Sequence, residues 1–532
     1  MSEKPRVRVK AGSDRVPPST RIRAPAAARW LRDASSGVLT ARRASLVESR
    51  DETRRAWERV AALAVDFIQN SGRLKGAVDQ IIADTVGSEL KLSARPDLSR
   101  LGYDAKETAD LIKLIEARWR RYIWNAAECD FRGKFALPQQ IDIALRHFVA
   151  YGETIGTVEF MGRAERRRYG VRSGTKLLLI TPDRLIRETN ETIRLHSGVR
   201  HDENGRPVAY RFKHRDRGYE TVEEHPAFDA DGRKLVLHAF DPWDGGDVRG
   251  ISPLAAAMRT HAHAEQLGDV TLATAILQTV FAASITSPEP SAEAFQAIEA
   301  LDEDENGLKS DFLGYFEHAL EQAQNSTVSL DGTGKVSHLA PGEKLELHTA
   351  ATPGSTYVPF KADLYREMAR CLGITAESFT LDQSGATYSS TRMGNSSIWP
   401  VVQRRRERIP APICQGVYEG WLDEEIGEGH IPLRGGYAAF AANRDDICWA
   451  EWQGPAKPTA DDHKSALAAS ERLQNGTTTL EYECAELGLD VNDVMDRREI
   501  ESKMLIDRKL PSPFERVRGG GAQQPSGREA AK

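Results

Sequence analysis

From Pro253 to the Ser287-Pro288 pair the chain meets no strong helix breaker, and only Gly268 interrupts an Ala-rich run. Ser252 is well suited to cap the first turn, because its hydroxyl accepts from a free backbone N–H. Pro253 loses nothing at the first helical position. The spacing predicts a helix of about 30 residues, roughly 45 Å at 1.5 Å per residue. Its second half, Val270 to Ala283, is apolar on nearly every side, so neighbours must bury it. Small residues such as Ala275 and Ala282 would let another helix approach closely. Both a central helix of a monomeric core and a contact between copies fit this pattern.

A second helix follows about 70 residues later. Phe360, Leu364, Met368 and Leu372 recur every four positions and line one stripe. Pro359 suits the first turn, and Gly373 suits the position just past the end. A polar loop from Asp382 to Ser390 comes next, with no apolar periodicity. A further helical pattern starts near Thr391, and Pro400, Pro410 and Pro412 should kink or break it. A polar loop held between helices is an exposed element on a rigid support, where function often lies.

Upstream, residues 54 to 85 read as helical, with Trp57, Val60, Leu63, Ala64 and Phe67 on one side. Residues 105 to 125 and 137 to 150 read as two more helices. Between about 155 and 240 the pattern changes to short strands, including Thr175 to Ile180 and Val208 to Phe212, with Asn204-Gly205 as a hairpin turn. Helices followed by strands predict an α+β fold, predominantly helical. Residues 288 to 350 form an acidic, turn-rich insertion between the two long helices. Near the C-terminus, Asp461-Asp462, Thr478 to Glu481 with capping-box spacing, and Asp490 open helices, while Asn475-Gly476 and Gly488 close them. Residues 1 to 50 and 511 to 532 read as disordered.

No run of 18 apolar residues spans a membrane, and the basic start of the chain has no apolar signal core. That start reads either as a nucleic-acid-binding tail or as a solvated arm. Five scattered cysteines without a Cys-x-x-Cys fit reduced thiols and argue against a disulfide framework or a zinc site. The formal net charge of -6 argues against tight DNA binding, which needs many phosphate contacts. Gly332-Thr333-Gly334-Lys335-Val336 lacks the flanking residues of a phosphate-binding loop and reads as a hairpin. His261 and His263 would point about 200° apart on a helix, too far to share a metal. The run Asp302 to Glu305 reads as a solvated loop; as a metal site it would suggest a nuclease. Ser389 and Ser390 have no histidine nearby in sequence to act as base. No catalytic residue, metal ligand or cofactor is assigned.

Several short motifs occur in one order along the chain. They are Val86-Gly87; Gly198-Val199 with Asp202, Gly205-Arg206-Pro207 and Ala209-Tyr210; Arg249-Gly250-Ile251-Ser252-Pro253-Leu254; and Leu339-Ala340-Pro341-Gly342-Glu343. Ala369 to Ile374, Asp382, Tyr388-Ser389-Ser390 and Arg392 follow. With Asn70 to Leu92, Trp452 to Lys464 and Gly476 to Asp493, this series resembles the portal proteins of lambda-like tailed bacteriophages across roughly residues 55 to 505. The resemblance implies a ring-forming subunit. Its parts would be an α+β wing (51–250), a stem helix (251–287), a clip (288–350) and a second stem helix (355–374). A tunnel loop (375–391), a tunnel-side helix returning to the wing (392–455) and a helical crown (456–510) would follow.

By the same resemblance the chain would sit at the portal vertex of a virion, after assembly in the host bacterial cytoplasm as a twelve-subunit ring. Double-stranded DNA would pass through it during packaging and ejection. A separate terminase large subunit would supply the energy, and a head–tail adaptor, the major capsid protein and scaffolding protein would be partners. Glu377, Asp382, Gln383, Ser384, Tyr388 and Ser389 would face DNA. Ala275 and Ala282 would lie at subunit contacts. The Arg404-Arg405-Arg406 and Arg408 cluster reads either as a phosphate contact or as pairing with a neighbouring subunit. The second is favoured for Arg404, Arg405 and Arg408, because a basic lining would hold DNA too tightly. The competing readings are a metal-dependent nuclease and a head–tail adaptor, whose chain would usually be shorter.

Overall fold

The computed structural model describes residues 46–216, 218–280, 283–286, 344–347, 354–459 and 461–511. Ala282, the run Asp302 to Glu305, the Gly332 to Val336 hairpin, the Leu339 to Glu343 motif and both termini lie outside the described residues.

Helix α1 (Ser49–Asn70) buries Trp57, Ala61 and Ala64, and α2 (Gly72–Val86) follows at once. The sequence reads these as one helix. Ser71 breaks it by taking an extended conformation, and its hydroxyl accepts from Leu74 N to cap the second. Strand β1 (Lys91–Ala94) leads to α3 (Ala105–Ile123), which opens on a capping box between Asp104 and Glu107. Helix α4 (Leu137–Tyr151) ends at Gly152, whose φ of +88° suits a residue without a side chain.

Two antiparallel sheets follow. Strands β2 (Glu153–Phe160) and β3 (Thr175–Ile180), separated by α5 (Arg163–Tyr169), belong to the first. Next come β4 (Leu195–His196), β5 (Val199–His201), β6 (Pro207–Asp216) and β7 (Tyr219–Pro226), which form the second sheet in sequence order. Strand β8 (Val236–Phe240) returns to the first, giving the order β3-β2-β8. The Asn204-Gly205 turn joins β5 to β6; Gly205 has φ +82°, and Asp202 accepts from Asn204 N and Arg206 N.

The long helix departs from expectation at both ends. Ser252 caps Leu254 N, but Pro253–Ala256 is a tight 3-10 turn, and the helix proper is α6 (Met258–Val280). Beyond it, β9 (Ala283–Thr286) pairs antiparallel with β10 (Lys344–Leu347). The β-branched Ile285 and Thr286 suit a strand better than a helix end. The insertion therefore leaves and returns through a two-stranded ladder.

Helix α7 (Tyr357–Leu372) stops at Gly373 with φ +65°. Its stripe grades from exposed Phe360 to buried Met368 and Leu372. The short α8 (Ala376–Thr380) precedes the loop, and α9 (Tyr388–Arg408) starts three residues earlier than the periodicity suggests. Thr387 causes this: its hydroxyl accepts from Ser390 N, and Ser390 accepts from Thr387 N. Helix α9 passes through Pro400, breaks at Ile409, and α10 (Pro410–Gly427) begins. Helix α11 (Gly436–Ala442) and β11 (Ala450–Gln453) follow, the latter pairing antiparallel with β1. Helices α12 (Asp462–Gln474), α13 (Leu480–Glu486) and α14 (Val491–Asp507) end the described chain. Thr479 rather than Thr478 caps α13, and Glu481 instead pairs with Arg95.

The main core joins distant parts of the sequence. Trp119 of α3 packs edge-on against Tyr418 and Trp421 of α10 and Trp452 of β11, with ring centroids 5.2–5.9 Å apart. A smaller cluster of Ile155, Leu185, Tyr210, Phe212 and Val236 lies between the two sheets.

Candidate functional site

Two of the sequence motifs meet at one buried joint. Arg249, only 5% exposed, points at Glu153, which is fully buried at the start of β2. Its Nε donates to Oε1 at 2.7 Å and to Oε2 at 2.9 Å. The guanidinium also donates to Ser197 O at 3.3 Å and to Pro182 O at 3.1 Å. His238 Nε2 lies 3.1 Å from Glu153 Oε2, and Gly250 N donates to the same oxygen at 3.1 Å. The Arg249 guanidinium lies 4.6 Å over the Trp57 ring. Burial alone would raise the Glu153 carboxyl, but Arg249 and His238 overcome it and hold the pKa below the ordinary value.

The surrounding glycines explain themselves sterically. A Cβ on Gly250 would lie 2.1 Å from Gly152 O, one on Gly152 would lie 2.0 Å from Ile251 C, and one on Gly198 would lie 2.2 Å from Ile186 O. Ser252 Oγ donates to Val149 O at 2.6 Å. The joint thus ties α1, α4, both sheets and the entry to α6 at one point. It is structural: its polar groups are buried and bonded to one another.

The loop between α8 and α9 has the opposite character. Leu381 to Gly385 are all exposed. Asp382 accepts from Ser384 N at 3.0 Å, and the hydrogen bonds from Ser384 hold its carboxyl below the ordinary range. Ser389 is exposed in the first turn of α9. Glu377 and Gln383 turn instead toward a cleft of about 230 Å³ that they share with Gln80, Asp84, Asn395 and Trp399. The structure therefore groups Asp382, Ser384 and Ser389 on the outside and Glu377 and Gln383 against α2 and α9. Sequence reading missed Leu381. It is 81% exposed with φ +56°, an unusual backbone for leucine, where it ends α8 just before the polar loop.

The sequence model of the phage portal protein, lambda family, matches residues 36–406. The chain belongs to that family. It is 26% identical over 464 residues to the portal protein of Escherichia phage N15, with 84% of each chain covered. It is 23% identical over 449 residues to portal protein B of Escherichia phage lambda, with 81% of each covered. Similar solved structures include the neck of an empty GTA particle, with TM-score 0.43, 13% identity, and 81% of this chain and 94% of that one covered. Another is an HK97 family phage portal protein from Corynebacterium diphtheriae, with TM-score 0.29, 11% identity, and 68% and 90% covered.

In this portal protein the arginine cluster is largely occupied within its own chain. Arg404 Nη2 and Arg408 Nη1 donate to Asp241 at 2.9 and 2.7 Å. Arg405 donates to Leu372 O at 2.6 Å, and burial lowers its pKa to about 10. Arg406 donates to Thr85 O at 2.8 Å and lies over the Trp399 ring. Arg405 therefore braces α9 against the end of α7, while Arg404 and Arg408 keep about half their side-chain surface exposed. Arg392 is exposed and forms no ion pair among the described residues. His261 is buried against Phe67 and lies 3.1 Å from Glu265. Among the described residues no group of three or more His, Cys, Asp and Glu could hold a metal ion, and no helix is long and apolar enough to cross a membrane.

Proposed function

We propose that this portal protein forms a closed ring at one capsid vertex and that the loop from Glu377 to Ser390 lines its channel. The family supplies the frame: membership in it favours a portal subunit over a metal-dependent nuclease or a head–tail adaptor. The observation that carries the loop assignment is its composition in place, an exposed polar turn between the ends of two helices. Asp382 at that turn repels phosphates within roughly a Debye length, about 8 Å at physiological salt. Ser384 and Ser389 offer hydroxyls whose bonds to DNA form and break at a net ~1 kcal/mol each. Such a lining keeps DNA centred and mobile.

The remaining parts follow the family order. Residues 51–250 are the wing, α6 and α7 the stem, 288–350 the clip, and 456–510 the crown. Terminase docks on the clip before packaging and a head–tail adaptor docks there afterwards. Twelve subunits close the ring through heterologous contacts, with capsid and scaffolding proteins around it in the virion. Val270 and Leu272, 56% and 62% exposed in the single chain, support a stem contact between copies near Ala275. Arg404 and Arg408 are the arginines still exposed enough to reach a neighbour.

The test is Asp382→Lys in assembled rings. DNA should be retained in the channel, and packaging or ejection should slow, most of all at low salt. Normal rates at low salt would show that the loop's charge does not keep DNA moving.

A further inference from the structure

Three contiguous hollows follow one side of α10, between that helix, β2, β8 and the turn before β8. All three are lined by Lys234, and the two larger enclose 470 and 510 Å³. Helix and sheet approach closely here because Gly416 and Gly420 have no side chains; a Cβ on Gly416 would lie 2.2 Å from Leu237 Cδ2. Trp449 borders one end of the groove, and Tyr437 and Phe160 border the other. Trp449 and Phe160 are each 63% exposed.

The groove is acidic. Asp423 is paired with Arg233 and Arg444, and Glu424 and Glu428 are paired with Arg166. Glu159, Glu419 and Asp445 also line it, and among the described residues they form no ion pair. The exposed Trp449 ring near carboxylates that form no ion pair suits an arginine-rich strand, while Arg166 already lies 5.7 Å over the Phe160 ring. A guanidinium stacks on an aromatic face while donating to a carboxylate.

This chain contains such a segment. Residues 1–45 hold eleven Lys and Arg against three Asp and Glu, and they end just before α1. Extended, 45 residues span up to about 150 Å, so reach does not limit docking to one subunit. We propose that residues 1–45 dock in the groove along α10, in the same subunit or an adjacent one, with their arginines on Glu159, Glu419 and Asp445. Charge complementarity favours this occupant over DNA, which the acidic groove would repel.

Zero-length carbodiimide coupling of the full-length protein tests it. Lys4 and Lys10 are the only lysines in the arm. Cross-linked peptides joining either lysine to Glu159, Glu419 or Asp445 are expected, together with slow tryptic release of the arm. The triple variant Glu159→Gln, Glu419→Gln, Asp445→Asn should lose the cross-links and release the arm about tenfold faster, the equivalent of about 1.4 kcal/mol. Trp449→Ala, at an exposed position, should speed release without changing any carboxylate. Equal release from wild type and both variants, with no cross-link to the groove, overturns the proposal. So does an arm protected only when duplex DNA is added, which would assign it to nucleic acid.

Discussion

Replacing Arg249 by methionine keeps length and apolar bulk but removes the cation from the buried joint. Glu153 would then sit fully buried with only His238 and Gly250 N for partners. Ser197 O and Pro182 O would lose their donor, and Trp57 its stacked cation. Breaking one side of a buried pair costs about 3–5 kcal/mol, a large part of the ~5–15 kcal/mol that holds a domain folded.

The effect has a pH signature. In the wild type the folded pKa of Glu153 is depressed, so its contribution is fully present above the unfolded value and is lost only as pH falls through the folded value. It is therefore constant between pH 8 and pH 5.5. In the variant only His238 and Gly250 N still oppose burial, so the pKa rises, and acidification neutralises the stranded carboxylate and narrows the gap to wild type. Glu153→Gln combined with Arg249→Met should be less destabilised than the sum of the single changes, by about 1–3 kcal/mol. Urea unfolding followed by near-UV circular dichroism at both pH values measures all of this. An Arg249→Met protein within about 1 kcal/mol of wild type at pH 8, with no pH-dependent gap, would refute the reasoning.

Other outcomes follow from individual residues. Burial raises the Glu116 carboxyl to about 7, although it accepts from Ala94 N; a raised acid contributes stability below the unfolded pKa that is lost as pH rises through about 7. Glu116→Gln should thus leave the urea midpoint unchanged at pH 5 and raise it at pH 8.5. Gly152→Ala puts a methyl against the Ile251 backbone at a left-handed φ, and overpacking plus strain should lower stability by about 2–4 kcal/mol in the same assay. Ala275→Glu should reduce the yield of rings in negative-stain images while leaving the melting temperature of the unassembled chain within a few degrees of wild type. Wild-type ring yield would remove the stem contact.

The sequence alone carried much of what local rules set, though not the break at Ser71 or the early cap at Thr387. Gly373 as a helix stop, Asp461 and Asp490 as caps, the Asn204-Gly205 turn and the Thr175–Ile180 strand depend on a few neighbouring residues, and each can be read from periodicity and capping chemistry. The ordered motifs also placed the chain in its family. Tertiary structure decided what depends on residues far apart. Arg249 and Glu153 stand 96 positions apart and give no local sign of being a pair. The arginines of α9 read as partners for phosphate or for a neighbouring subunit because nothing nearby in sequence shows that Asp241, Leu372 O and Thr85 O await them. A buried charge is tolerated only where the fold brings donors and acceptors together, and that convergence is a property of packing rather than of any segment.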